Sequence, residues 1–120
     1  MLSVIFFKTE AGNEPVRDWL KALEQDDRAI IGEDLRTVQL GWPLGMPLCR
    51  PLGDGLYEVR SDITDKRISR LIFFQSEQTL IIVDGFIKKS QKTPKEILVR
   101  AKHKKRKYET IKPDKKPKID

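Results

Sequence analysis

The stretch from Leu52 to Lys92 constrains the fold more than any other part of the chain. It reads L-G-D-G-L-Y-E-V-R, then R-I-S-R-L-I-F-F-Q, then T-L-I-I-V-D-G-F-I-K-K-S-Q-K. Short apolar runs rich in Val, Ile, Leu and Phe are separated by only a few polar residues or Gly. That spacing leaves room for tight connections, so it predicts consecutive strands over Leu56–Arg60, Ile68–Gln75 and Thr79–Ile87. Ser61–Lys66 and Ser76–Gln78 are the turns. Each strand then pairs with its sequence neighbour in an antiparallel meander.

The flanks supply a first strand and the helices. Leu2–Phe7 reads as a strand, and Gly12 and Asn13 mark a turn. Asn13 suits a helix N-cap, and Pro15 sits where its missing N–H does no harm. Val16, Trp19, Leu20 and Leu23 form one apolar stripe on a helix over Glu14–Gln25. Asp26 or Asp27 caps a second helix to about Leu40, striped by Ile31, Leu35 and Val38 and ended by Gly41. The very short link makes an antiparallel helical hairpin whose stripes face a core. Trp42–Pro51, with three prolines and Gly45, reads as a connector. Thr93, Pro94 and Glu96 form a capping box that opens a last helix over Pro94–Tyr108. The order β-α-α-β-β-β-α predicts an α+β domain over residues 1–108, with helices packed on one face of an antiparallel sheet. Residues 109–120, with two prolines, four lysines and few apolar groups, read as a basic, disordered tail.

Composition removes several kinds of chemistry. A chain of 120 residues is one domain, and its one cysteine, Cys49, allows no internal disulfide. One cysteine and one histidine are too few for a Cys/His zinc site. There is no Gly-rich phosphate loop and no nucleophile elbow, and the carboxylates are scattered. No metal and no cofactor are expected. No apolar run has a membrane span's length and no secretory leader is visible, so a soluble, cytoplasmic protein is expected. Residues 1–49 hold 8 acidic and 5 basic side chains, whereas residues 50–120 hold 10 acidic and 19 basic ones. Such a basic half suits a polyanion or an acidic protein partner.

What remains is cationic. Arg60 closes the first meander strand and Arg70 lies near the start of the next. A hairpin turning at Thr64–Asp65 brings them together. Lys88, Lys89 and Lys92 follow the third strand. Arg grips phosphate with two parallel hydrogen bonds. Clustered cations stabilise the extra charge of a pentacoordinate phosphorus. RNA carries its own nucleophile, the 2′-hydroxyl, so such a site needs no metal. The plainer alternative is surface cations, with Arg60 or Arg70 paired to Glu58 or Asp62. Glu58 shares a face with Arg60 and is either a salt-bridge partner or a proton acceptor. Tyr57 points to the opposite face and reads as a core ring. The run Lys102–Lys107 is a solvated helix face, with His103 a bystander within it, unless that face meets RNA.

The pieces P-L-G-D-G-L-Y-E-V-R, R-I-S-R-L-I-F-F and D-G-F-I-K-K-S-Q-K-T-P resemble the HigB-like, phage-derived branch of the RelE/ParE toxin superfamily, over about Val4 to Tyr108. The resemblance implies the toxin of a type II toxin–antitoxin pair, a metal-independent endoribonuclease that cuts mRNA on the ribosome. It implies a helix-turn-helix antitoxin as partner. Arg60, Arg70, Lys88 and Lys89 fall at the family's catalytic basic positions. Lys92, Lys102, Lys104, Lys105 and Arg106 are then RNA contacts, and Glu58 and His103 are the candidates for proton transfer. Arg70→Ala is expected to abolish activity and leave the fold intact. Two other readings stand beside this one: a ParE-like inhibitor of DNA gyrase, and a non-catalytic RNA- or protein-binding module.

Overall fold

The computed structural model describes residues 2–88 and 92–115. Lys89 and the last five residues of the expected tail, 116–120, lie outside them. The elements run β1 (Ser3–Phe6), α1 (Pro15–Lys21), α2 (Gln25–Gly41), β2 (Cys49–Gly53), β3 (Leu56–Asp62), a 3-10 turn (Thr64–Lys66), β4 (Ile68–Ser76), β5 (Thr79–Lys88) and α3 (Lys95–Lys115). The expected α+β class holds. The sheet order is β1-β5-β4-β3-β2. All pairings are antiparallel except β1 with β5, which is parallel. None of the described helices is long and apolar enough to cross a membrane.

Three features depart from the sequence reading. Part of the expected connector is an edge strand, β2, and Pro51 lies within it. Proline is tolerated there because an edge strand has one side that owes no hydrogen bond to a neighbour. The β2–β3 turn then needs Gly53, Asp54 and Gly55 all at positive φ (92°, 54° and 77°), which explains the glycines on either side of Asp54. Second, α3 continues past Tyr108 to Lys115, so residues 109–115 are helical rather than tail. Third, the helices do not share one face.

Alternation on the strands divides the core in two. Val59, Leu71, Phe73, Leu80 and Ile82 meet Val16, Ile31 and Val38 of the hairpin α1–α2. Leu56, Ile72, Phe74, Ile81, Val83 and Phe86 meet Ala101, with Ile97 and Tyr108, on α3. Tyr57 joins the hairpin side as a core ring, stacked on Phe73 and edge-on to Trp42. Gly85 lets α1 approach β5, since a Cβ there would stand 2.9 Å from Trp19 Cζ3.

The expected helix caps have other duties. Asp27 is buried and accepts hydrogen bonds from Thr64 N (3.0 Å), Thr64 Oγ1 (2.8 Å) and Arg67 Nη2 (2.7 Å). It therefore ties α2 to the β3–β4 turn, where Asp65 and Lys66 have φ of 61° and 58°. The backbone donor of Thr64, followed by its hydroxyl and by Arg67, holds the Asp27 carboxyl below the usual carboxylate range against the opposing effect of burial. Thr93 is likewise buried, and its hydroxyl goes to the sheet, with Pro94 standing just outside the first helical residue.

Candidate functional site

The Asp27-anchored turn sets the β3–β4 register, and the register places Arg60 directly opposite Arg70. Opposed side chains share a face and start about 5 Å apart. The same row continues to Phe86 on β5. One row along, Arg50 on β2 faces Glu58 on β3. Three guanidiniums and one carboxylate thus share the face that α3 packs on.

Arg70 and Glu58 form the floor. Both side chains are 0% exposed, and Arg70 Nη1 lies 3.6 Å from Glu58 Oε1. The Arg70 guanidinium carbon is 5.8 Å from the centre of the Phe86 ring. Glu58 Oε2 accepts a hydrogen bond of 2.7 Å from Thr93 Oγ1. This bond fixes the chain just ahead of α3, so the positive end of that helix is held beside the arginines. Burial lowers the pKa of Arg70, Glu58 acts against it, and the charges of Arg60 and Arg50 lower it further. A guanidinium stays protonated regardless. The physical result is a patch where one buried carboxylate lies among three arginines.

The sequence candidates are partly gathered here. Arg60 is half-buried at the patch, beside Arg70. Lys88 is exposed at the end of β5, opposite Ile68, and Lys92 is exposed ahead of α3. Lys89 lies outside the described residues. The helix candidates are elsewhere. α3 runs from Thr93 at Glu58 toward the β2–β3 turn, where Lys102 Nζ is 3.0 Å from Asp54 Oδ2. Lys102, Lys105, Arg106 and Asp54 line an open hollow of about 490 Å³ there. Lys104 turns to the edge of β5, donating to the Val83 carbonyl at 2.9 Å. Burial pushes its pKa down. His103 is exposed, about 12 Å along the axis from Lys95.

Two expectations change on this geometry. Glu58 is enclosed, with Arg70 on one oxygen and Thr93 on the other, so it serves as an ion-pair anchor. Arg70→Ala would strip Glu58 of its buried counter-charge, so it should destabilise the fold as well as change the site. Arg50 was missed by the sequence reading. The signal was partial: the G-D-G turn pairs the residues before it with L-Y-E-V-R, but a register shift between Pro51 and Gly53 is what sets Arg50 against Glu58.

A sequence model of the family described as "Phage derived protein Gp49-like (DUF891)" matches residues 18–106. The chain belongs to the Gp49-like family. This is a HigB-like toxin family of the RelE/ParE superfamily. No curated protein matches the chain in sequence. The Gp49-like match begins in α1 and ends in α3, so it contains β2 to β5 and every arginine of the patch. As a toxin-family protein, the Gp49-like chain implies an antitoxin partner.

Proposed function

We propose that this Gp49-like protein is the toxin of a type II toxin–antitoxin pair and cleaves mRNA on the ribosome. The observation that carries this reading is the cross-strand pairing of Arg60 with Arg70 beside a helix N-terminus. Arg60, with Lys88 and Lys89, meets the scissile phosphodiester. Arg70 stands behind it and holds the local potential positive. The ribose 2′-hydroxyl gives its proton to water as it attacks phosphorus, the P–O5′ bond breaks with O5′ taking a proton from water, a 2′,3′-cyclic phosphate is left, and the cations hold the charge of the pentacoordinate state. Lys92 steers the RNA backbone. Lys102, Lys105 and Arg106 meet ribosomal RNA at the far end of α3. The ribosome aligns the substrate, which supplies the orientation a small basic site lacks. A helix-turn-helix antitoxin neutralises the protein.

Induction in cells, with 5′ ends mapped on a reporter mRNA, tests the reading. The expected result is cuts confined to translated regions and lost in Arg60→Gln. Growth arrest without cuts, accompanied by loss of DNA supercoiling, would replace the nuclease with a gyrase inhibitor of the ParE kind. Unimpaired growth would leave a non-catalytic binding module.

A further inference from the structure

Glu58 is held through both of its oxygens, and the two holds differ in kind. Arg70 Nη1 lies 3.6 Å from Oε1, and Oε1 has no hydrogen-bond partner among the described residues. At that distance the contact is charge and packing, and it sets no direction. The last torsion of a glutamate is broad and nearly two-fold, so the ion pair alone leaves the carboxylate plane free to turn. Thr93 supplies the direction. Its hydroxyl donates to Oε2 at 2.7 Å, and both residues are buried. The bond joins residues 35 positions apart, so local chain geometry does not account for it. Fixing Oε2 at Thr93 fixes where Oε1 meets Arg70. Arg70 in turn lies against the Phe86 ring and directly opposite Arg60. A buried hydroxyl, a buried carboxylate and a buried guanidinium thus form one chain of contacts that ends behind Arg60.

We propose that Thr93 is a positioning residue: through Glu58 its hydroxyl orients the Arg70 guanidinium, and so sets the charge behind Arg60 where the scissile phosphodiester is met. The role in turnover rests on the nuclease reading, whereas the orienting of Arg70 does not. Charges fixed in place before reaction favour the transition state, where negative charge on the phosphorus oxygens develops, over the bound substrate. Loss of the Thr93 hydroxyl therefore lowers kcat and leaves KM nearly unchanged.

The primary test reads the Arg70 side chain itself, by nitrogen NMR of the isotopically labelled full chain. The Arg70 Nε–H signal is assigned by its loss in the double variant Arg70→Met with Glu58→Leu. Thr93→Val, which keeps the shape and removes the hydroxyl, should shift and broaden that signal, and Thr93→Ser should restore it. Arg100→Gln, which loosens α3 from Asp84 without touching Glu58, should leave it unchanged. An unchanged Arg70 signal in folded Thr93→Val overturns the role, even where the wild type cuts mRNA. So does the same change in Arg100→Gln, which would make helix docking alone the cause. Should Thr93→Val not fold, the wild type decides: a Thr93 hydroxyl proton in slow exchange with water supports the role, and one in fast exchange overturns it. A changed signal that Thr93→Ser reverses supports the role even where no mRNA is cut, an outcome that sinks only the nuclease reading. On ribosome-bound mRNA, Thr93→Val should lower kcat about tenfold, as loss of one hydrogen bond to a charged group would, with KM nearly unchanged and Thr93→Ser close to wild type. A rise in KM with kcat unchanged would overturn the assignment.

Discussion

Arg70 and Glu58 are shut away from water together, each the other's buried counter-charge. Removing one charge leaves its partner buried and uncompensated, which costs about 3–5 kcal/mol. Arg70→Met should therefore lose that much in denaturant unfolding, while Arg70→Met with Glu58→Leu should recover most of it. Failure of the double variant to recover would show that the ion pair itself, not the unpaired charge, carries the stability. Cys49 makes a second case. Burial pushes its thiol up to about 11, so almost no thiolate exists near neutral pH. Native protein should resist alkylation by iodoacetamide at pH 8, and unfolded protein should react. The adjacency of Arg60 and Arg70 was legible in the sequence, because a hairpin turning at Thr64–Asp65 forces it. The enclosure of Arg70 was not, because no spacing rule says which helix covers which sheet face. Arg50 stayed hidden behind Pro51, a residue that argues against a strand unless the strand is known to be an edge.

Helix α1 and strand β5 touch through a residue with no side chain. A Cβ at Gly85 would stand 2.9 Å from Trp19 Cζ3 and 3.0 Å from Leu71 Cδ2. Both are core groups with little room to move, so Gly85→Ala should destabilise by about 1–3 kcal/mol through overpacking. Thermal unfolding would measure it, and Trp19→Phe should relieve part of the loss. Between α2 and the β3–β4 turn the tie is electrostatic. Asp27 is held below the usual carboxylate range in the folded state, so its contribution is complete above the unfolded carboxylate pKa. It is lost as pH falls through the lower, folded value. Asp27→Asn should remove that part of the acid limb, so the pH profile of stability should be shallower below the usual carboxylate range. A limb of unchanged steepness would assign acid sensitivity to other carboxylates. The apolar stripes of α1 and α2 were legible from period alone, though both caps were misread. Asp27 and Thr93 have the chemistry of caps, but long-range partners at Thr64 and Glu58 claim them.

As a whole the molecule is a sheet with two separate cores, one under the α1–α2 hairpin and one under α3. On the α3 side the helix brings Ala101, with Ile97 and Tyr108, to the core. Its long helix is also fastened by charge, with Arg100 Nε and Nη2 on Asp84 at 2.7 and 2.9 Å and Lys107 on Glu10 at 3.2 Å. Ala101 is fully buried at the centre of that contact. Ala101→Glu would place a carboxylate there without a counter-ion, and α3 should detach. Hydrogen exchange should then rise along α3 while the hairpin side stays protected; equal loss on both sides would mean the two cores unfold as one. The sequence by itself determined the element types, the meander, the acidic-to-basic split and the meeting of Arg60 with Arg70, because period, turn chemistry and charge are local properties. Only the tertiary structure decided that α3 takes the face opposite the hairpin, that β2 closes the edge, and that Arg70 is floor while Arg50 and Arg60 are rim. Those outcomes depend on which surfaces exclude water from one another, and that is settled between segments far apart in the chain.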